Sequence, residues 1–229
     1  MPKTALRNHV IVFDLDDTLY AERDYVLSGY RAICEHLSDT PARSGERCQW
    51  LWDRFLSGRS DNAFGALSSH FELGLNTTGI TKLVTVYRDH RPAITLREGM
   101  GALLDKLRST CKLGIVSDGF LPAQQFKLDA LGISKYFDAV IFTESIGREC
   151  WKPSPAGFQT LCETLKTDPE ACVYIGDNPS KDFVAPNALK WRTIQLLLDG
   201  QIHSHKPAPP GGQAGLIVRS IDELTEMIG

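Results

Sequence analysis

Five short apolar runs, spaced by amphipathic stretches, limit what this chain can fold into more than any other feature. They are "HVIVFDLD" (9–16), "KLGIVSDG" (112–119), "DAVIFTES" (138–145), "CVYIGDN" (172–178) and "WRTIQLLL" (191–198). Each reads as a strand buried on both faces. A shorter run, "GLIVRS" (215–220), is a sixth candidate. Between the runs, Met100, Leu103, Leu104 and Leu107 share one helical face, as do Phe158, Leu161, Cys162 and Leu165, and "IDELTEMIG" closes the chain as another short helix. Strands alternating with helices give a parallel sheet covered on both sides. The fold class expected is therefore α/β, a doubly wound, Rossmann-like core.

Residues 21–92 interrupt this rhythm. Val26, Tyr30, Ile33 and Leu37 fall at helical spacing, then Cys48, Leu51, Trp52, Phe55 and Leu56. Phe64, Leu67 and Phe71 mark a third helix, and Ile80, Leu83, Val84 and Tyr87 a fourth. Pro41, Gly45, Gly58, Gly74 and Gly79 are the expected breaks. The division expected is a core of residues 1–20 and 93–229 with an all-helical insert, 21–92, large enough for its own small core. Residues 200–215, "GQIHSHKPAPPGGQAG", read as an exposed loop, with His203 and His205 as solvated side chains.

Composition narrows the class. A chain of 229 residues can bury a substantial core, and its net charge of −3 offers no basic field for a nucleic acid polymer. No apolar run approaches the ~20 residues needed to span a bilayer. The start, "MPKTALRNHV", lacks the apolar core of a secretory signal. The six cysteines contain no C-x-x-C pair, so reduced thiols are expected rather than a disulfide framework or a zinc site. The expectation is a cytoplasmic protein with no membrane partner; oligomeric state is open.

In an open parallel sheet, ligands bind beyond the carboxyl ends of the strands. The first such end carries Asp14, Asp16, Asp17 and Thr18, the second Ser117, Asp118 and Gly119, and the fourth "GDNPSKD" with Asp177 and Asp182. Lys152 in "ECWKPSP" precedes a helix that starts near Pro155. Taken singly, each is a turn or a surface charge. Together they place several carboxylates, a hydroxyl and an ammonium in one small volume. Carboxylate oxygens suit Mg²⁺, which bridges readily to phosphate. Ser, Lys and free backbone N–H groups suit the remaining phosphate oxygens.

"DLDDTL", "SDG", "KPSP" and "GDNPSKD", in this order and on these strands, resemble the haloacid dehalogenase-like hydrolase superfamily, in its phosphatase branch with a helical cap inserted after the first strand. The resemblance covers nearly the whole chain. It implies Asp14 as nucleophile, forming an aspartyl-phosphate, and Asp16 as general acid and base whose backbone carbonyl helps hold Mg²⁺. Ser117 and Lys152 would bind the transferring phosphoryl group, Lys152 also orienting Asp14, with Asp118 in the same phosphate-binding turn. Asp177 would ligate Mg²⁺, with Asp182 as ligand or outer partner. Asp17 and Asp118 are given no chemistry beyond turn formation, Thr18 supports the loop, and Trp151 shapes the pocket entrance. Asn187, where the family often has Gly, is read as a helix-end effect.

Dehalogenases of the superfamily lack the second aspartate, which is present here as Asp16. Phosphonate-cleaving relatives need a cap lysine, and residues 21–92 hold only Lys82, off the apolar face of its helix. A phosphomutase shares all four motifs and stays open as an alternative. A non-catalytic scaffold would be expected to lose one of these groups, and none is missing. The cap's arginines, with Tyr25, Tyr30 and Trp50, permit either a sugar phosphate or a nucleotide, so the partner expected is a small phosphorylated metabolite.

Overall fold

The structure, a computed structural model, describes residues 9–38 and 40–229, so the N-terminal segment used above to judge a secretory signal lies largely outside the described residues. Six parallel strands form one sheet: β1 (Val10–Phe13), β2 (Lys112–Ser117), β3 (Ala139–Phe142), β4 (Cys172–Gly176), β5 (Arg192–Leu196) and β6 (Leu216–Val218). Their order is β3-β2-β1-β4-β5-β6. The direction of winding reverses between β1 and β4, which opens a crevice at their carboxyl ends. Phe13 of β1 is level with both Ile115 of β2 and Ile175 of β4, so the residues that follow all three strands emerge side by side.

Alternation along β1 sorts its side chains between two layers. Ile11 and Phe13 pack with Leu103, Leu104 and Leu107 of α5 (Met100–Arg108), Leu128 of α6 (Ala123–Leu131) and Leu224 of the C-terminal helix (Ile221–Ile228). Val10 and Val12 pack on the other side, with Phe158, Leu161 and Leu165 of α7 (Ala156–Leu165) and Ala185 of α8 (Val184–Ala188). One strand departs from the expectation of burial on both faces: only Ala139 of β3 is buried. The strand lies at the sheet edge, where a neighbour on one side only leaves half its surface to loops and solvent.

The helical insert comprises α1 (Glu22–Leu37), α2 (Pro41–Leu56), α3 (Ala63–His70) and α4 (Thr77–Asp89), packed around Val26, Tyr30, Ile33, Leu51, Leu67 and Leu83. Three expected breaks are not breaks. Pro41 opens α2, where its missing N–H is not needed, behind the Thr40 cap. Gly45 lies within α2 on its solvent face. Gly79 lies in the first turn of α4, its N–H donated to Asn76 Oδ1 at 2.9 Å. Gly58 and Gly74 do interrupt the chain, at φ of 78° and 63°. Leu56, expected on the packed face of α2, is 62% exposed. The chain enters and leaves the insert at neighbouring points: Tyr20 and Leu96 form an antiparallel bridge, and Arg97 N–H donates to Leu19 O at 3.0 Å.

The loop at 200–215 is not simply exposed. Ile202 N–H donates to Asp17 Oδ2 (2.7 Å), and Gln195 Nε2 donates to Ser204 O (2.9 Å). Asn187 donates to Gly211 O and Gln213 O at 2.8 and 2.7 Å, so this residue is a clamp on the loop rather than a helix-end effect. Ser204 is buried, while His205 and Lys206 face solvent. The backbone of 201–204 is drawn inward because a carboxylate and a buried amide need donors and acceptors there.

Gly29 brings α1 against α4, since a Cβ at this position would collide with the Tyr87 ring. That ring is fixed by Tyr25, Tyr30 and Phe64, so it has no free direction in which to yield. Gly29→Ala should therefore destabilise the protein by about 1–3 kcal/mol, the usual cost of overpacking. A urea midpoint unchanged from wild type would show that the ring has room to move.

Candidate active site

Strand pairing places the nucleophile candidate. Asp14 N–H donates to Ile175 O at 2.8 Å, extending the β1–β4 ladder by one bond before the chain turns away. The turn is sharp because Asp17 adopts a left-handed conformation, φ 55°, which Asp tolerates better than most residues. Its carboxylate then accepts Glu22 N–H (2.9 Å) and Ile202 N–H (2.7 Å) and pairs with Arg97 (3.3 Å). Thr18 is buried in the same turn, its hydroxyl without a hydrogen-bond partner, so it supports the loop by packing. Beyond β4, Asn178 N–H donates to Asp182 Oδ2 at 2.9 Å, which folds "GDNPSKD" back toward β1.

These turns converge on one buried ammonium. Lys152 Nζ lies 2.5 Å from Asp14 Oδ1, 2.8 Å from Asp182 Oδ1 and 2.9 Å from the Tyr174 hydroxyl, and its side chain is fully buried. Burial opposes its charge, but Asp14 and Asp182 outweigh this and hold its pKa well above the ordinary lysine value. Asp14, Asp177 and Asp182 bring carboxylate oxygens within 4.8 Å of one another. Lys152 serves two of them; Asp177 Oδ2 is buried with no hydrogen-bond partner. Burial, with Asp182 and Asp14 nearby, pushes Asp177 far above the usual carboxylate range. Burial also raises Asp14 to about 7, against the pull of Lys152. Three hard oxygen donors, one of them orphaned, fit a divalent cation such as Mg²⁺.

Asp16, two residues from Asp14, faces elsewhere. Its Oδ1 lies 2.7 Å from Lys127 Nζ and also accepts the Tyr20 hydroxyl, while Oδ2 accepts Gln124 Nε2 at 2.8 Å. Burial would raise its pKa, yet the Lys127 charge and these three donors bring it below the ordinary value. The Asp16 side chain is therefore outside the three-carboxylate group, which leaves its backbone carbonyl for the metal role expected of it.

Asp118 is more than a turn former. Its Oδ1 accepts Lys152 N–H (3.0 Å) and the Thr143 hydroxyl (2.8 Å), and its Oδ2 pairs with Lys181 Nζ (2.9 Å). It orients both lysines. Ser117 is fully buried, its Oγ accepting Gln124 Nε2 at 2.9 Å.

Several residues given no role by the motifs thus belong to the site: Tyr20, Gln124, Lys127, Thr143, Tyr174 and Lys181. Gln124 and Lys127 stand three residues apart on α6, one helix face, and this spacing was the available signal. Lys181 lies within "GDNPSKD" itself. His203, expected in an exposed loop, lines the cavity, with Nε2 3.8 Å from Glu22 Oε2. His205 does not approach it.

The cavity, about 580 Å³, lies between the strand ends and the helical insert. Asp14, Asp16, Asp177 and Lys181 line one part, and Tyr25, Tyr30, Phe64 and Tyr87 of the insert another. Trp151 also lines it, held by an Nε1–H donation to Glu144 at 2.9 Å. Arg88 lies 3.5 Å from the Phe120 ring and Arg91 4.5 Å from that of Phe126, joining insert to core.

The family model for haloacid dehalogenase-like hydrolases matches residues 9–188. The chain belongs to this family. It is 25% identical over 229 residues to the glyceraldehyde 3-phosphate phosphatase of Methanocaldococcus jannaschii, spanning 95% of this chain and 96% of that protein. It is also 28% identical over 131 residues to the pyrimidine 5′-nucleotidase YjjG of Escherichia coli, spanning 57% and 55%. Among solved structures, the hydrolase YfnB of Bacillus subtilis, bound to magnesium, shares the fold with a TM-score of 0.69 at 22% identity, covering 97% of this chain and 99% of that one.

The carboxylates set a pH dependence of stability. Asp14 rises from 3.8 to about 7 on folding, Glu22 from 4.5 to about 8, and Asp177 moves the same way. Stability from a raised acid is complete below its unfolded pKa and is lost as pH climbs through the folded one. The lowered pKa of Asp16 acts only below about pH 4, outside this window. His90 and His203, both lowered by burial, oppose this only below about pH 6.5, so in EDTA the melting temperature should fall between pH 6.5 and pH 8, and Mg²⁺ should raise it more at pH 8. An equal Mg²⁺ shift at both values, or none, would count against the cation site.

Proposed function

We propose that this enzyme, a phosphoric monoester hydrolase of the haloacid dehalogenase-like family, is a Mg²⁺-dependent phosphatase that hydrolyses a small phosphorylated metabolite through an aspartyl-phosphate on Asp14. One observation carries the reading: Asp14 stands at the β1–β4 crevice against Lys152, with the orphaned Asp177 oxygen beside it and Asp16 lining the same cavity. Asp14, Asp177, Asp182 and the Asp16 carbonyl would hold the metal, which when bound neutralises charge on the phosphate and on Asp14.

The steps belong to the side chains. Lys152 holds one Asp14 oxygen and so turns the carboxylate as a rigid nucleophile. Ser117, Lys152 and Lys181 grip the phosphoryl oxygens. Asp14 attacks phosphorus as the ester oxygen departs, and Asp16 delivers the proton to that oxygen. Asp16 then takes a proton from the water that attacks the aspartyl-phosphate, restoring Asp14. The ionised state favoured by Lys127 suits this second step. For the first, Asp16 has to carry a proton, so its pair with Lys127 must loosen when substrate enters. Residues 21–92 act as the cap that excludes water and selects the leaving group, and 1–20 with 93–229 as the catalytic core.

Asp14→Asn should form no phosphoenzyme. Asp16→Asn should lose about 10²–10⁴-fold in turnover, the usual worth of general acid–base help. With p-nitrophenyl phosphate, whose leaving group needs little protonation, the Asp16→Asn protein should accumulate one phosphoryl group by intact mass after rapid quench. Phosphoenzyme in Asp14→Asn at the wild-type level would remove Asp14 as nucleophile. EDTA should abolish turnover and Mg²⁺ restore it, with no bisphosphate required; a strict bisphosphate requirement would indicate a phosphomutase.

A further inference from the structure

We infer that the substrate is a nucleoside monophosphate, its base seated on the aromatic wall of the insert, rather than an open-chain or bare sugar phosphate. This rests on the phosphatase reading above and departs from the activity named for the full-length archaeal relative.

The cavity has two chemically different linings. The strand ends supply carboxylates and lysines, enough for a metal and a phosphoryl group. The insert supplies the rings of Tyr25, Tyr30, Phe64 and Tyr87 with Val84, and sets Ser60, Asn62 and Arg88 among them as polar groups that could meet the edge of a base. This wall is pre-formed. The Tyr87 ring meets Tyr25 edge-on at 5.4 Å and lies 5.8 Å from Phe64, and Tyr30 meets Phe55 edge-on at 6.5 Å. A triose or pentose phosphate carries no apolar ring to cover these side chains, and any hydroxyl set against their carbon faces would lose water without gaining a partner. A flat ring would bury apolar area there and take up edge or offset contacts with the aromatic side chains.

A bare aryl ester would leave other groups unused. His203 Nδ1 is buried with no hydrogen-bond partner, and its Nε2 lies 3.8 Å from Glu22 Oε2. Both residues line the cavity between insert and core. A donor–acceptor pair of this kind suits the two adjacent hydroxyls of a ribose. Metal and lysines for the phosphate, a polar pair for the sugar and an aromatic wall for the base match the three parts of a nucleotide in turn.

The test compares kcat/KM for uridine and adenosine 5′-monophosphates, ribose 5-phosphate, glyceraldehyde 3-phosphate, phenyl phosphate and acetyl phosphate. Ribose 5-phosphate differs from the nucleotides by the base alone, so one or both nucleotides should exceed it by about 100-fold or more, given the area a buried ring removes from water. Phe64→Ala should shrink that ratio at least tenfold. Val84→Thr, which keeps volume while placing a hydroxyl on the wall, should shrink it too if Phe64→Ala fails to fold. Ribose 5-phosphate or glyceraldehyde 3-phosphate matching both nucleotides would overturn the inference, and so would phenyl phosphate matching them. Turnover of acetyl phosphate that depends on Asp14 would, in those cases, leave the phosphatase reading standing. Absence of any turnover, with no phosphoenzyme from acetyl phosphate, would remove both.

Discussion

The interaction on which this structure depends is the buried ammonium of Lys152 between Asp14 and Asp182. A charged lysine without water around it is tolerable only if anions meet it at close range, and here two do, at 2.5 and 2.8 Å. The reverse is equally binding. Three carboxylates at adjacent strand ends repel one another, and one ammonium cannot neutralise them all. The loop carrying Lys152 is tied by its own N–H to Asp118, which is tied in turn to Thr143 and Lys181. The site is therefore one continuous ionic network, and the fold brings its members from four separate strand ends.

Asp17 works differently. It takes no part in the cavity, yet its carboxylate and carbonyl gather Glu22, Arg97, Gln201 and Ile202 around the turn after β1. Four parts of the chain meet there: the first strand's loop, the start of the insert, its return, and the loop after β5. The left-handed turn that presents Asp14 and Asp16 on different sides is thus held by contacts of Asp17 rather than of either of them. Asp16 can face Lys127 while Asp14 faces Lys152 because this turn separates them.

Much of the core was legible in the sequence because its signals are local. A parallel strand covered on both faces is a continuous apolar run, and β1, β2, β4 and β5 stand where their runs place them. The acidic cluster was legible for a related reason: carboxylates directly after apolar runs must lie at strand ends. What escaped was set by distance along the chain. Asp16 and Lys127 are separated by 111 residues and Asp17 and Ile202 by 185, so no local pattern joins them. The half-exposure of β3 follows from its edge position, which the alternation of elements does not specify. Gly45 looked like a break because glycine punctuates many chains, but a solvent-facing helical glycine costs only about 1 kcal/mol, which the packed face of α2 absorbs.

The points at which the chain enters and leaves the insert are joined by the Tyr20–Leu96 bridge and the Arg97–Leu19 hydrogen bond. To the core, the intervening seventy-odd residues amount to a closed loop whose ends already touch. Apart from its first turn, where Asp17 accepts Glu22 N–H, what folds between them sets neither the register of β1 nor the turn carrying Asp14. The insert is in that sense a cassette: its helices could be enlarged or recut with the strand ends that carry Asp14 and Asp177 left in place. An architecture of this kind lets the cavity's helical wall vary while the strand ends that face it stay fixed.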